Sequence, residues 1–219
     1  MDTIVIVLIV VIILLVYFLY AASASKSTSK TLYNLNNSNT AIANADLTNP
    51  KSYRFSYESW IYVNNWNNTS EKYIYNANAG TTGTQVIKLY LDATAPTLYC
   101  KLSGLSTGAN PVIKVTENFP IQKWVYVVIS VDSQIADCYL DGKLIKSTKL
   151  PYLVDVVSAY NINFGICDAY VTGFKRNAFA MNPQTVWANY MAGNGFSGNK
   201  YGMNLVITKD SATISQISY

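Results

Sequence analysis

KWVYVVISVDSQIADCYLDGKLIKST, from Lys123 to Thr148, is the stretch that decides the fold. Trp124 to Val131 is an apolar run rich in β-branched and aromatic residues, Ile135 to Leu140 is a second, and Leu144 to Thr148 follows. Such residues suit a pleated, packed surface better than a helix. Asp141-Gly142 between two of the runs is the signature of a type I′ hairpin, whose central residues both need positive φ. Three antiparallel strands in 26 residues therefore set the class of the whole chain.

Working outward, the same pattern recurs. In YRFSYESWIYV, Tyr53, Phe55, Tyr57, Ile61 and Val63 alternate with Arg54, Ser56, Glu58 and Tyr62, the period of a half-buried strand. Strands are expected at Lys72 to Tyr75, Gln85 to Asp92, Thr97 to Leu102, Pro111 to Glu117, Tyr160 to Ile166 and Ala169 to Arg176. Then the period changes. Asn182-Pro183 fits an N-cap followed by Pro at the first helical position, and Val186, Trp187, Tyr190 and Met191 share one helical face. That stripe predicts a helix packed on a sheet, ended near Gly193 or Gly195. Tyr201 to Thr208 and Ala212 to Ser218 read as a last pair of strands. Many short antiparallel strands with frequent turns predict a mainly β sandwich, a jelly roll with one short C-terminal helix.

The N-terminus is of another kind. Ile4 to Ala22 reads IVIVLIVVIILLVYFLYAA, without charge, Gly or Pro. As a helix, roughly 19 residues rise about 28 Å, close to a hydrocarbon core of about 30 Å. Ile4, Val7, Val11, Leu14, Leu15, Tyr17, Phe18 and Tyr20 are the expected membrane anchor, with Tyr17 and Tyr20 near headgroup level. A secretory signal would need a basic n-region and a shorter run, whereas Asp2 is the only charged side chain before this one. Lys26 and Lys30 after the run place the following domain on the cytosolic face by the positive-inside rule. The expected organisation is residues 1–24 as transmembrane anchor, 25–52 as a polar tether or irregular packed segment, and 53–219 as the jelly roll. Leu32, Leu35 and Ile42 are the residues that would tuck the tether against the domain.

Composition narrows the function. Net charge is +4 with only 13% charged residues, and no basic run argues for nucleic acid. Histidine is absent, so a Ser-His-Asp or Cys-His nucleophile is impossible. Cys100, Cys138 and Cys167 are odd in number and widely spaced, the pattern of small buried hydrophobes rather than a disulfide frame or metal site. Asn36-Asn37-Ser38 and the overlapping triplets at Asn67 and Asn68 fit the glycosylation sequon, at the rate an Asn-rich chain gives by chance.

FSYESWIYV at Phe55 to Val63, KWVYVVISVD at Lys123 to Asp132, CYLDGKLI at Cys138 to Ile145 and the closing segment Ala169 to Gly195 resemble laminin-G-like domains of the concanavalin A-type jelly roll. The resemblance implies a binding or interaction module, with some glycan hydrolases among the relatives. Glycoside hydrolysis needs two facing carboxylates. Here the three glutamates, Glu58, Glu71 and Glu117, stand apart, and of Asp137 and Asp141 the second is needed by its turn. The expectation is a protein that is not an enzyme and needs no cofactor or metal. An anchored jelly roll is also similar to membrane-associated minor capsid proteins of large icosahedral DNA viruses. That likeness implies a virion structural protein tying an internal membrane to a capsid protein shell. The alternative is a membrane-anchored, lectin-like adhesion protein. For glycan or partner contact the candidates are Trp66 with Asn65 and Asn67, Asp92, and Asp168 beside Tyr170, since exposed aromatics beside amides and carboxylates suit sugars.

Overall fold

The computed structural model describes residues 11–16, 27–66, 69–78, 85–104, 110–156, 159–165, 167–194, 204–209 and 212–218. Two antiparallel sheets make the sandwich. The six-stranded sheet runs in the order β1 (Ser27–Asn34), β11 (Ala169–Asn177), β2 (Arg54–Val63), β7 (Trp124–Asp132), β8 (Ile135–Leu140), β9 (Lys143–Lys149). The five-stranded sheet runs β10 (Asn161–Phe164), β3 (Lys72–Asn78), β4 (Gln85–Leu91), β5 (Leu98–Leu102), β6 (Val112–Thr116). β12 (Asn204–Lys209) and β13 (Ala212–Ser218) pair with each other in a separate hairpin.

Alternation explains the core. Tyr57, Ile61, Val125, Val127, Ile129 and Cys138 come from one sheet and Ile74, Ile87, Leu89 and Cys100 from the other, and all join one buried cluster. Phe174 sits among aromatic rings, 5.0 Å from Phe164, 5.2 Å from Tyr75 and 6.1 Å from Tyr57 between centroids. The hairpin of the deciding stretch forms as its turn chemistry requires, with φ of 47° at Asp141 and 79° at Gly142. α2 (Pro183–Met191) begins as expected, Asn182 Oδ1 accepting from the Thr185 N–H with Pro183 in the first turn.

Two expectations change on contact with the structure. In β2 the outward phase is not solvated: Ser56 and Glu58 are buried as deeply as their inward neighbours, because α2 and the segment before it lie over that face. Tyr53, placed on the buried phase by alternation, precedes the strand and is exposed. The stripe on α2 is also narrower than its period implied. Val186 is buried and Tyr190 half-buried, while Trp187 and Met191 are exposed.

Residues 27–52 do more than lead into the domain. β1 pairs along its length with β11, and Lys30 lies within it opposite Phe174. Leu35 and Ile42 do enter the core, joined by Tyr33 and Leu47, and Ile42 bridges to Ile162. The buried Arg176 guanidinium fastens the next turn, donating from Nη1 to Thr48 O at 2.7 Å and from Nη2 to Asn49 O and Pro50 O at 3.3 Å. Of the expected anchor, residues 11–16 are helical (α1), with Val11, Leu14 and Leu15 exposed. Ile4, Val7, Tyr17, Phe18, Tyr20 and Lys26 lie outside the described residues. Among the described residues no helix is long and apolar enough to cross a membrane.

Burial also fixes how the fold responds to alkali. It pushes the Cys138 thiol up to about 12 and the half-buried Cys167 thiol up to about 11, and raises Cys100, Tyr57 and Tyr75 well above their ordinary values. All these acids keep their protons longer in the native state than in the unfolded chain, where thiols and phenols titrate from about pH 9. Their contribution is therefore complete below that pH and is lost as pH rises through the native values. Denaturant midpoints measured from pH 8 to 11 should be flat at first and then fall, each group adding a slope of up to about 1.4 kcal/mol per pH unit.

Candidate functional site

Strand register assembles a row of side chains at one end of the six-stranded sheet. Asn34 of β1 faces Tyr170 of β11, Tyr170 faces Tyr62 of β2, and Tyr62 faces Trp124 of β7. Tyr62, Tyr170 and Trp124 stand on the outer face, since the alternate residues Ile61, Val63, Val125 and Val171 enter the core. Ring centroids lie 6.4 Å apart from Tyr170 to Tyr62 and 5.4 Å from Tyr62 to Trp124, and all three rings are half-exposed. Cross-strand pairs of this kind interact through their edges and faces and hold one another upright.

A second aromatic group continues the surface. Trp60, two residues before Tyr62, stacks on Tyr190 of α2 at 5.6 Å and lies 5.2 Å from Tyr126. Trp187 is 5.6 Å from Tyr190 and reaches over the β8–β9 turn. A Cβ on Gly142 would stand 2.7 Å from Trp187 Cε3 and 3.1 Å from Tyr190 Cδ1. Gly142 thus meets two needs at once, positive φ for the hairpin and room for the rings.

The row has a polar border. Asp168, just before β11, accepts at Oδ1 from Asn36 Nδ2 at 2.9 Å and at both carboxylate oxygens from Asn64 Nδ2 at 3.2 Å. Its own carbonyl accepts from the Asn64 N–H at 2.9 Å. Asn34 Oδ1 accepts from the Asn36 N–H at 3.0 Å and Asn39 Nδ2 donates to Asn34 O at 3.0 Å, so the turn after β1 is locked beside it. Chemically this is aromatic faces next to a carboxylate and amides, the combination that takes the C–H face and the hydroxyls of a sugar.

The expected residues divide on inspection. Asp168 and Tyr170 come together here, joined by Tyr62, Trp124, Asn36 and Asn64, none of which sequence reasoning placed with them. The outward phase of β2 carried the signal for Tyr62, and the register of β7 carried it for Trp124. Trp66 is packed against the core, with Lys72 Nζ 4.1 Å from its ring centroid and its backbone N–H bonded to Asn65 Oδ1 at 2.8 Å. Asp92 serves its own turn, Oδ1 accepting from the Thr94 N–H at 3.0 Å and from Thr94 Oγ1 at 3.3 Å. The bond from the Thr94 N–H, more than the charge of Lys72, holds the Asp92 carboxyl below its usual range. Asn67 lies outside the described residues. Among the described residues no group of three or more His, Cys, Asp or Glu is placed to hold a metal.

Beneath the second aromatic group lies a buried carboxylate. Glu58 Oε2 accepts from the Tyr126 hydroxyl and from Asn189 Nδ2 at 3.0 Å. Oε1 accepts from Asn177 Nδ2 at 3.4 Å and has Lys175 Nζ at 4.0 Å. Burial first, then the Glu58 charge, pushes the Tyr126 phenol well above its ordinary value. The partners of Glu58 are a phenol, two amides and an ammonium, and no second carboxylate is among them. Its chemistry is that of a clasp between α2 and the sheet, helped by Ser130, whose Oγ accepts from the Met181 N–H at 2.9 Å and donates to Met181 O at 3.1 Å.

Comparison with known proteins agrees with this architecture. A structure of the binding domain of botulinum neurotoxin DC, solved with rat synaptotagmin II, superposes with a TM-score of 0.55 at 16% identity, over 76% of this chain and 42% of that one. Botulinum neurotoxin type C, a toxin that depends on interaction with two ganglioside molecules to enter cells, gives 0.52 at 18% identity, over 64% and 35%. A Trypanosoma rangeli sialidase gives 0.50 at 13% identity, over 67% and 24%. This chain spans less than half the length of each of these structures, and at such identities the likeness is one of fold. A search of curated proteins finds no match. The family model described as the concanavalin A-like lectin/glucanases superfamily, of laminin G type, matches residues 35–168, more than half of the sequence. Sandwich, register and family model agree, and the chain belongs to the concanavalin A-like lectin/glucanase superfamily.

Proposed function

We propose that this chain is a non-enzymatic, membrane-tethered recognition protein whose jelly roll binds a glycan at the Tyr170–Tyr62–Trp124 row and its Asp168–Asn36–Asn64 border. The half-exposed aromatic row beside a carboxylate is the observation that carries this reading. Structures of like fold come from proteins that interact with gangliosides and with synaptotagmin II, which makes recognition a natural use of the scaffold. The tether is the apolar run Ile4 to Ala22.

A glycan array with the intact protein tests it. Trp124→Ala should weaken the observed binding at least tenfold, the effect of losing about 1.4 kcal/mol or more from one aromatic contact. Asp168→Ala should do likewise while circular dichroism stays unchanged. No glycan bound by the intact protein, or binding indifferent to both substitutions, rejects this reading.

A second reading has one observation in its favour. Exposed Trp187 and Met191 on α2 extend the aromatic face beyond a sugar's footprint, and Trp is enriched where proteins meet. In that reading the face contacts a capsid protein and the chain ties an internal viral membrane to its shell. The two differ in sidedness. The shell tether has its domain on the cytosolic face, as Lys26 and Lys30 suggest, whereas a lectin used in adhesion has it outside. Protease added to sealed, right-side-out membranes should degrade the jelly roll of the lectin and spare that of the shell tether.

A further inference from the structure

The direction of β1 gives the sandwich two unlike ends. β1 starts in a row that continues Ser27–Asn177–Ser56–Ser130–Asp137–Ser147 across the sheet, and it finishes in the row Asn34–Tyr170–Tyr62–Trp124. Along β2 the rows lie six positions apart, from Ser56 to Tyr62, about 20 Å at the rise of an extended strand. In sequence the apolar run ends at Ala22, five residues before Ser27. Even fully extended, five residues reach only about 18 Å. The starting end therefore faces whatever holds that run, and the aromatic row faces away from it.

The starting end has its own chemistry. Tyr53, Ile135, Tyr152 and Phe179 are 45%, 50%, 46% and 38% exposed. They are gathered by the backbone: the Ser133 N–H donates to Tyr53 O at 3.1 Å, and the Leu150 N–H donates to Gln134 O at 2.7 Å. Phe179 follows β11 where Asn177 faces Ser56. Lys51 and Lys149 are exposed beside them, and Arg54 neutralises Asp132 at 3.0 Å. An open hollow of about 850 Å³, lined by Asp132, Ser133, Gln134, Ile135, Lys149 and Leu153, lies on the same end. Two tyrosines and a phenylalanine beside two lysines match the composition of a membrane–water interface: rings at headgroup level and cations towards anionic lipid.

We infer that this end of the jelly roll, Tyr53, Ile135, Tyr152 and Phe179 with Lys51 and Lys149, rests on an anionic lipid bilayer, the same one that the N-terminal run enters. The inference rests on the anchor proposed above. It makes the domain a fixed pedestal rather than a body on a loose string, and it turns the aromatic row outward.

The natural tryptophans supply the control. Trp60, Trp66, Trp124 and Trp187 all lie in the half of the sandwich away from this end, by the register of β2 and β7 and by the contact of Trp187 with the β8–β9 turn. The full chain is reconstituted into vesicles of phosphatidylcholine and phosphatidylserine, with and without bromine on the lipid chains. Tyr152→Trp and Phe179→Trp should each add emission that brominated lipid largely quenches, while the emission of the unsubstituted protein stays the same. Lys51→Glu with Lys149→Glu should relieve that quenching without releasing protein from the vesicles. Flotation separates the two ideas under test. Protein that fails to float with vesicles overturns the anchor and the inference together. Protein that floats, with the added emission unquenched or the natural tryptophans quenched instead, overturns the inference alone.

Discussion

Gly165→Ala should prevent the five-stranded sheet from closing. A Cβ at this position would stand 1.7 Å from the Tyr73 carbonyl oxygen and 2.8 Å from its carbon, so backbone rather than a movable side chain blocks it. The Gly165 N–H donates to Ile74 O at 3.0 Å, which is the contact that draws the end of β10 onto β3. Relief requires β10 to part from β3, with Ile162 and Phe164 leaving the core. A loss above about 4 kcal/mol is expected, the size reserved for backbone clashes and core disruption. Soluble yield and a urea midpoint measure it. Gly193→Ala is the matched control: φ is 78° there, nothing lies within 4 Å of the added carbon, and only about 1 kcal/mol of conformational strain is expected. Equal losses at the two glycines would remove the argument from close approach.

The second large effect concerns Glu58. Truncation to Ala leaves the Tyr126 hydroxyl buried without its acceptor and the half-buried Asn189 amide with only the Met181 sulfur at 3.9 Å, whereas Asn177 keeps Ser56 Oγ at 3.1 Å and Lys175 turns to solvent. One orphaned and one weakened donor at about 1–3 kcal/mol each, together with the lost packing, predict a loss of about 3–5 kcal/mol. Glu58→Gln keeps the shape and one acceptor oxygen, and should cost less than half as much. Hydrogen exchange gives a sharper check than global stability. Amides of α2 should lose protection ahead of those in β7 and β8, because Glu58 joins the helix to the sheet. Uniform loss across the domain would mean that the carboxylate supports the core as a whole.

What could be seen in the sequence was local. The Asp141-Gly142 turn and the Asn182-Pro183 helix start are each specified by a few adjacent residues, and both form as expected. β1 was hidden because STSKTLYN lacks a sustained alternation, and its strand character comes from β11 at the far end of the chain. Arg176 looks like a solvated charge in its strand, yet its partners are carbonyls of residues 48–50, which no side-chain pattern announces. Ser56 and Glu58 read as outward because alternation describes one sheet, and only α2 decides that both faces are covered. The site follows the same division. Asp168 and Tyr170 could be picked by residue type, whereas Asn36, Asn64 and Trp124 join them only through loop geometry and register.

The seam between β1, β11 and β2 also orders events in time. Ser27 faces Asn177, about 150 residues later in the chain, and β11 is the strand that separates β1 from β2. At about 5–20 residues per second, synthesis leaves β1 without its partner for roughly 8–30 s. Through that interval the β7–β8–β9 hairpins can already be complete, while β2 keeps a bare edge. Closure of the sandwich is thus a late act, performed only after β11 has been made. The strand that fills the seam is the last of its sheet to be synthesised.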